Sequence, residues 1–232
     1  MPGTVRLHRV FATSPEKLYR AFVEADAMAK WLPPNGFTRL GLAPELIAAV
    51  EDLGFNQPTT VQEQVIPMAL PQQEAGSRFT DLMVSSQTGS GKTAAFLLPV
   101  LHTLLSQQQA KLAEEQRRWA EQVAAAEAAG EPLPKRARRK DPTNPRNFKP
   151  AVPGALVLCP TRELAQQVAH DAIDLVKHCR GLRVANIVGG MPYQLQIAKL
   201  QNANLVVATP GRLLDLQRSM QIKLDKVKFL VV

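Results

Sequence analysis

Ser86-Gln87-Thr88-Gly89-Ser90-Gly91-Lys92-Thr93 decides how this chain is read. The apolar run Leu82-Met83-Val84 precedes it, and Ala94 to Leu98 follows it. That order predicts a strand over 82–86, a glycine-rich turn and a helix, which is the setting of a phosphate-binding loop. Gly89 and Gly91 let backbone N–H groups turn inward on an anion. The helix start behind them adds free N–H groups and the positive end of its dipole. Lys92 brings a full charge for the outer phosphates. The Thr93 hydroxyl can ligate magnesium, which takes a few protein oxygens and keeps its water. A Gly-Ser turn ahead of an ordinary helix is the bland alternative, and it leaves Gly-Lys-Thr at the helix start unexplained. Ser86 stands where the motif usually has its first glycine, a small residue for a small residue.

After the loop comes a helix over 93–105, with Pro99 expected to kink it. From Ser106 to Gly130 the composition shifts to Gln, Ala, Glu and Arg. Leu105, Leu112 and Trp119 fall at a fixed spacing, and Glu114 pairs with Arg118 along a helix. This reads as a second, long and mostly solvated helix. Glu131-Pro132-Leu133-Pro134 breaks it. The segment from Lys135 to Lys149 reads as disordered, and 106–150 as a whole reads as an insertion into a compact domain. The net charge is +8. Lys135, Arg136, Arg138, Arg139, Lys140, Arg146 and Lys149, against Asp141, place about +6 of it in this one block. The basic balance therefore belongs to a segment and not to the fold. A solvated linker and an auxiliary phosphate-binding tail both remain open for it.

Beyond residue 150, short apolar runs alternate with helical patterns. Strands are expected over 155–159, 184–188 and 205–208, with another beginning at Phe229. Helices are expected from Thr161, with Leu164, Val168, Ala172 and Leu175 on one face, and over 194–201 and 212–218. Upstream, Leu46, Ile47, Val50 and Leu53 form a helical stripe that Gly54 closes, and a further helix runs from Thr60 toward Met68. Alternation of this kind implies an α/β fold with a parallel sheet flanked by helices. Ligands in such sheets sit at the carboxyl ends of the strands. At the N-terminus, Val5, Leu7 and Val10 suggest a strand, and Ser14-Pro15-Glu16 starts a helix.

Composition narrows the class. Apolar residues at 45% and charged residues at 21% are ordinary for a soluble globular protein. No apolar run approaches the roughly 20 residues that span a membrane, and the N-terminus lacks a signal-peptide pattern. Cys159 and Cys179 make neither a disulfide framework nor a metal site. They read as reduced core thiols of a cytoplasmic protein.

Four more stretches accompany the phosphate loop. These are Gly54-Phe55 with Pro58-Thr59 and Gln62; Pro160-Thr161-Arg162-Glu163-Leu164-Ala165; Gly189-Gly190; and Thr209-Pro210-Gly211-Arg212. In this order the set resembles the first RecA-like domain of the DEAD-box RNA helicases. The resemblance runs from Phe37 to Val232, apart from 106–150. It implies a P-loop NTPase fold, ATP and Mg2+ as cofactors, and RNA as partner. Gln62 would read the adenine edge and Phe55 would stack on the base, with Phe37 as a further aromatic nearby. Gln87, Thr88, Gly89, Ser90, Gly91, Lys92 and Thr93 would hold the phosphates. Lys92 and Thr93 are the catalytic candidates, and Thr93 the metal ligand. Pro160, Thr161, Arg162, Gly189, Gly190, Thr209, Pro210, Gly211 and Arg212 would hold the RNA backbone. Hydroxyls, glycine N–H groups and guanidinium groups suit phosphate without reading bases. Arg162 is expected to serve intradomain contacts as well. A monomer with no membrane association is expected.

Residues 1–36 are similar to the start of a START-like domain, in the branch named for the activator of a heat-shock chaperone ATPase. One strand and one helix cannot bury a core alone. The family named above continues past Val232 with the acids that help hold magnesium and position water, and then with a second RecA-like domain. The 232 residues are therefore expected to form the ATP- and RNA-binding half of a helicase, with negligible hydrolysis alone. A non-catalytic nucleotide- and RNA-binding module is the alternative. A START-like domain binding an apolar ligand or a chaperone is a third, and it fails on length.

Overall fold

The computed structural model describes residues 36–70, 81–130 and 149–232, together with Ser14 and Pro132. The expected strand and helix over 1–36 lie outside the described residues apart from Ser14 and Gly36. So does the basic block 135–149, apart from Lys149.

Four short apolar runs build the sheet: β1 (Ala155–Leu158), β2 (Val184–Ile187), β3 (Leu205–Ala208) and β4 (Phe229–Val231). Their order is β2-β3-β1-β4, and each pairing is parallel. β3 lies inside the sheet and all four of its residues are buried. This is why its sequence is apolar throughout and does not alternate. Leu158 and Ile187 are both register partners of Ala208. The three strands thus finish level, and the loops after them leave the sheet side by side.

The pleat sorts side chains between two cores, because successive residues of a strand point to opposite faces. Ala155, Val157, Leu205 and Val207 join one core with Leu46, Leu97, Leu98, Leu101 and Val168. Leu156, Ala185, Ile187, Val206 and Ala208 join the other with Leu200, Leu213 and Leu216. The first face is covered by α1 (Pro44–Asp52), α3 (Lys92–Ala129) and α4 (Arg162–Leu175), with α2 (Thr60–Ala69) packed on α3. The second face is covered by α5 (Tyr193–Leu200) and α6 (Pro210–Arg218). Leu97, Leu98 and Leu101 are 0–1% exposed, and burying each contributes about 1.5–3 kcal/mol. They fasten the helix that starts at the phosphate loop to the sheet.

Two expectations need correction. Residues 82–86 do not form a strand. Met83 is fully exposed, and among the described residues none pairs with this segment. An apolar run satisfies the side-chain criterion for a strand, but a strand exists only with a hydrogen-bonded neighbour. The helices expected over 93–105 and 106–130 are one helix of 38 residues. The change at Ser106 is a change of solvation. Gln, Ala, Glu and Arg are all strong helix formers, so the backbone has no cause to break there. Pairs such as Arg118–Glu114 at 2.9 Å brace the exposed part. The helix also runs through Pro99, which is buried, and the Thr103 hydroxyl donates to the Pro99 carbonyl at 2.9 Å. Gly130 in the left-handed region ends it.

Candidate functional site

The phosphate loop has the backbone its glycines allow. Gly89 and Gly91 lie at φ 78° and 84°, the left-handed region that L-residues avoid. Gly91 is the N-cap of α3, and no side chain caps that end. The first-turn N–H groups of Lys92 and Thr93 are therefore left to an anion. The Lys92 ammonium turns back on its own loop, donating to the Ser86 carbonyl and to the Gln87 carbonyl, the latter at 2.6 Å. Ser86 and Ser90 close the loop through their hydroxyls at 2.7 Å. An incoming phosphate thus meets a pre-shaped turn and a cation held by carbonyls it can replace.

A second element braces this loop. Thr59 and Gln62 form a capping box at the start of α2: the Thr59 hydroxyl accepts from Gln62 N–H, and Gln62 Oε1 accepts from Thr59 N–H at 3.0 Å. The same two side chains reach the phosphate loop. Thr59 Oγ1 donates to the Ser90 carbonyl at 2.8 Å, and Gln62 Nε2 donates to the Gly91 carbonyl at 3.1 Å. Gln62 is 5% exposed. Its amide, expected to read a base, is here spent on the loop and the helix cap. Thr59 was not singled out as a site residue from sequence, although Thr-x-x-Gln ahead of an apolar run carries the signature of the box.

Phe55 follows Gly54, which closes α1 at φ 78°. Its N–H donates to the Val50 carbonyl, and the residue is 47% exposed. Phe37 is placed differently. It lies in a 3-10 turn (Gly36–Leu40), is 1% exposed, and belongs to the first core. In this conformation it offers no face to a ligand.

The remaining motif residues meet at the level ends of β1, β2 and β3. A cavity of about 510 Å³ is lined there by Pro160, Thr161, Arg162 and Glu163 from one loop, Gly189 and Gly190 from the next, and Thr209, Arg212 and Asp215 from the third. Pro210 and Gly211 do not line it; they form the first turn of α6. Thr161 caps α4, its hydroxyl accepting from Leu164 N–H at 3.2 Å. The Thr209 side chain makes no such capping bond. Arg162 lies across the glycine pair. A methyl at Gly190 would come within 2.8 Å of its Nη1, and Gly190 itself sits at φ 84°. Arg212 donates from Nη2 to the Met191 carbonyl at 3.1 Å and lies 5.3 Å from the centre of the Tyr193 ring. Its Nη1 is 3.9 Å from Asp215. Arg162 and Arg212 thus share the lining with Glu163 and Asp215, and the formal charges of these four side chains balance.

Among the described residues, no cluster of three or more His, Cys, Asp or Glu could hold a metal. No helix among them is long and apolar enough to cross a membrane. Cys159 and Cys179 are free and buried, and burial raises both thiols, Cys179 to about 11.

Residues 59–232 match the DEAD/DEAH box helicase family. The chain is 37% identical over 201 residues to DEAD-box ATP-dependent RNA helicase 52A of Oryza sativa subsp. japonica, covering 86% of this chain and 28% of that protein. It is 35% identical over 205 residues to ATP-dependent RNA helicase RhlB of Pseudomonas aeruginosa, covering 86% and 41%. Among solved structures, Prp28 from Chaetomium thermophilum bound to ADP is similar at a TM-score of 0.56 and 29% identity, covering 85% of this chain and 38% of that one. Dbp5 from S. cerevisiae bound to RNA and ADP BeF3 gives 0.54 and 28%, covering 84% and 37%. The chain therefore spans well under half the length of these relatives.

Proposed function

Because the chain belongs to the DEAD/DEAH box helicase family, we propose that it is the ATP- and RNA-binding half of an ATP-dependent RNA helicase. One observation carries the reading: three separate motifs open onto a single cavity at the level ends of three adjacent strands. The phosphate loop at the start of α3 supplies the second site. The RNA reading is supported by Dbp5, a similar fold described bound to RNA and ADP BeF3.

The residues present fit a nucleoside triphosphate. The turn around Gly89 and Gly91 aims N–H groups at an anion, and Lys92 holds a positive charge beside it. Phe55, an aromatic 47% exposed, is the residue a base would stack on. The Thr93 hydroxyl, at the start of α3 beside the loop, is the protein ligand these residues would offer to Mg2+. ATP held at this loop would, together with RNA, close the domain on a second one, and its hydrolysis would reset the pair. Thr161, Thr209, Arg162 and the glycine pair grip the RNA backbone irrespective of its bases. In this reading the protein works as a cytoplasmic monomer.

Titration with ATP and with a fluorescein-labelled single-stranded RNA tests the proposal. Lys92→Ala should weaken ATP binding at least tenfold and leave RNA binding intact in the absence of nucleotide. Thr161→Ala should do the reverse. ATP affinity unchanged in Lys92→Ala would refute it. A second reading for the 232 residues taken alone is a nucleotide- and RNA-binding module without turnover. RNA-stimulated ATP hydrolysis by this polypeptide separates the two.

A further inference from the structure

We propose that Gln196 is a positioning residue for the RNA cradle, a role that rests on the RNA reading above. Gln196 belongs to α5, is 0% exposed, and does not line the cavity. Its Nε2 donates to the Val188 carbonyl at 2.6 Å and to the Met191 carbonyl at 3.3 Å. Those carbonyls flank Gly189-Gly190, so one amide pins both ends of the glycine turn. Glycine needs such help because it has the widest range of backbone conformations to lose. The Met191 carbonyl also accepts from Arg212 Nη2 at 3.1 Å. A single carbonyl oxygen thus ties the turn, α5 and Arg212 together.

The burial of Gln196 supports a role beyond packing. Its Oε1 has no hydrogen-bond partner among the described residues. An unsatisfied buried acceptor destabilises a fold by about 1–3 kcal/mol. The neighbouring helix positions Ile197 and Leu200 supply the second core with ordinary apolar packing. Leu or Met at 196 would spare the chain that buried acceptor. The structure keeps an amide there, with its donor aimed at the two carbonyls that shape the turn. Arg212 Nε likewise has no hydrogen-bond partner among the described residues, and this guanidinium rests on the Met191 carbonyl and the Tyr193 ring.

The test uses the 232-residue chain with Gln196→Met. Anisotropy of a fluorescein-labelled oligouridylate reads RNA affinity, calorimetry reads ATP affinity, and hydrogen exchange reads the amides of 189–191. RNA affinity should fall about tenfold, as expected from losing a hydrogen-bonded anchor. ATP affinity should stay within about twofold, because α5 packs in the second core and the helix after the phosphate loop in the first, and exchange at 189–191 should accelerate. In an Arg212→Lys background the same substitution should weaken RNA binding less than threefold, since both changes act through one carbonyl. Equal loss of RNA and ATP binding, or the same factor in both backgrounds, would mark a general structural role and overturn the proposal. So would a folded Gln196→Met with full RNA affinity. If that variant does not fold, Gln196→Glu sets an acceptor of the same size against the two carbonyls, and full RNA affinity there is equally fatal. A wild-type chain that binds no RNA would instead overturn the RNA reading itself, and the positioning role with it.

Discussion

Gly91→Ala and Gly89→Ala make the same chemical change at two points of one loop, and the structure separates their consequences. Both glycines lie in the left-handed region, at φ 84° and 78°. Holding an L-residue there costs about 1–2 kcal/mol at either position. A methyl at Gly89 meets nothing within 4 Å. A methyl at Gly91 would lie 2.4 Å from Gln62 Nε2 and 3.2 Å from Thr59 Oγ1. Gln62 must then leave, losing its bond to the Gly91 carbonyl and its half of the capping box. Those two losses add about 1 kcal/mol each. Gly91→Ala should therefore destabilise by about 3–4 kcal/mol and Gly89→Ala by about 1–2. At roughly 2–4 °C per kcal/mol for a chain of this size, their melting temperatures should differ by several degrees. Urea unfolding followed by circular dichroism reads both free energies. Equal destabilisation within about 0.5 kcal/mol, a margin typical of neutral changes, would refute the claim that Gln62 and Thr59 brace the loop.

Three further outcomes are expected. Gln62→Ala should weaken ATP binding more than GTP binding and also lower the melting temperature, because the amide serves the loop as well as any base; equal loss for both nucleotides in calorimetry would remove the adenine-reading role. His102 Nδ1 accepts the Ala43 N–H at 3.0 Å, and burial lowers its pKa from 6.5, so the neutral ring belongs to the folded state. Its contribution is full above pH 6.5 and is lost as pH falls through the lowered value, so His102→Asn, which keeps an acceptor there, should flatten the loss of stability on acidification in that window. Cys159 and Cys179 should resist iodoacetamide at pH 8 in the native protein and react on unfolding, since burial raises both thiols and hides them; labelling followed by mass spectrometry checks this.

The legible parts of the sequence were those whose signals are local. Val206 and Val207 belong to a four-residue apolar run too short for a helix, and β3 lies where that run lies. The left-handed turn at Gly89 and Gly91 is likewise written in the residues themselves. What could not be read depends on partners distant in the chain. Met83 and Val84 look like strand residues, yet the segment has no neighbour among the described residues. Phe37 looks like an isolated aromatic in the sequence, yet it is buried in the core that also holds Leu46 and Leu98. Gln196 sits in a helical pattern where a glutamine ordinarily faces water. Nothing local says that two carbonyls of the preceding turn lie beneath it.

The length of α3 sets the scale on which the phosphate loop can be felt. A helix of 38 residues is about 57 Å long. Its first residue is Lys92, and its last turns stand in solvent, clear of the sheet. Leu97 to Leu105 hold its first part against the sheet, so only the stretch from Ser106 to Ala129 projects, about 36 Å at the rise of the α-helix. A bend of about 5° at the root of that arm would carry its tip by about 3 Å. The helix thus joins a fixed base at the phosphate loop to an arm whose tip stands well away from it.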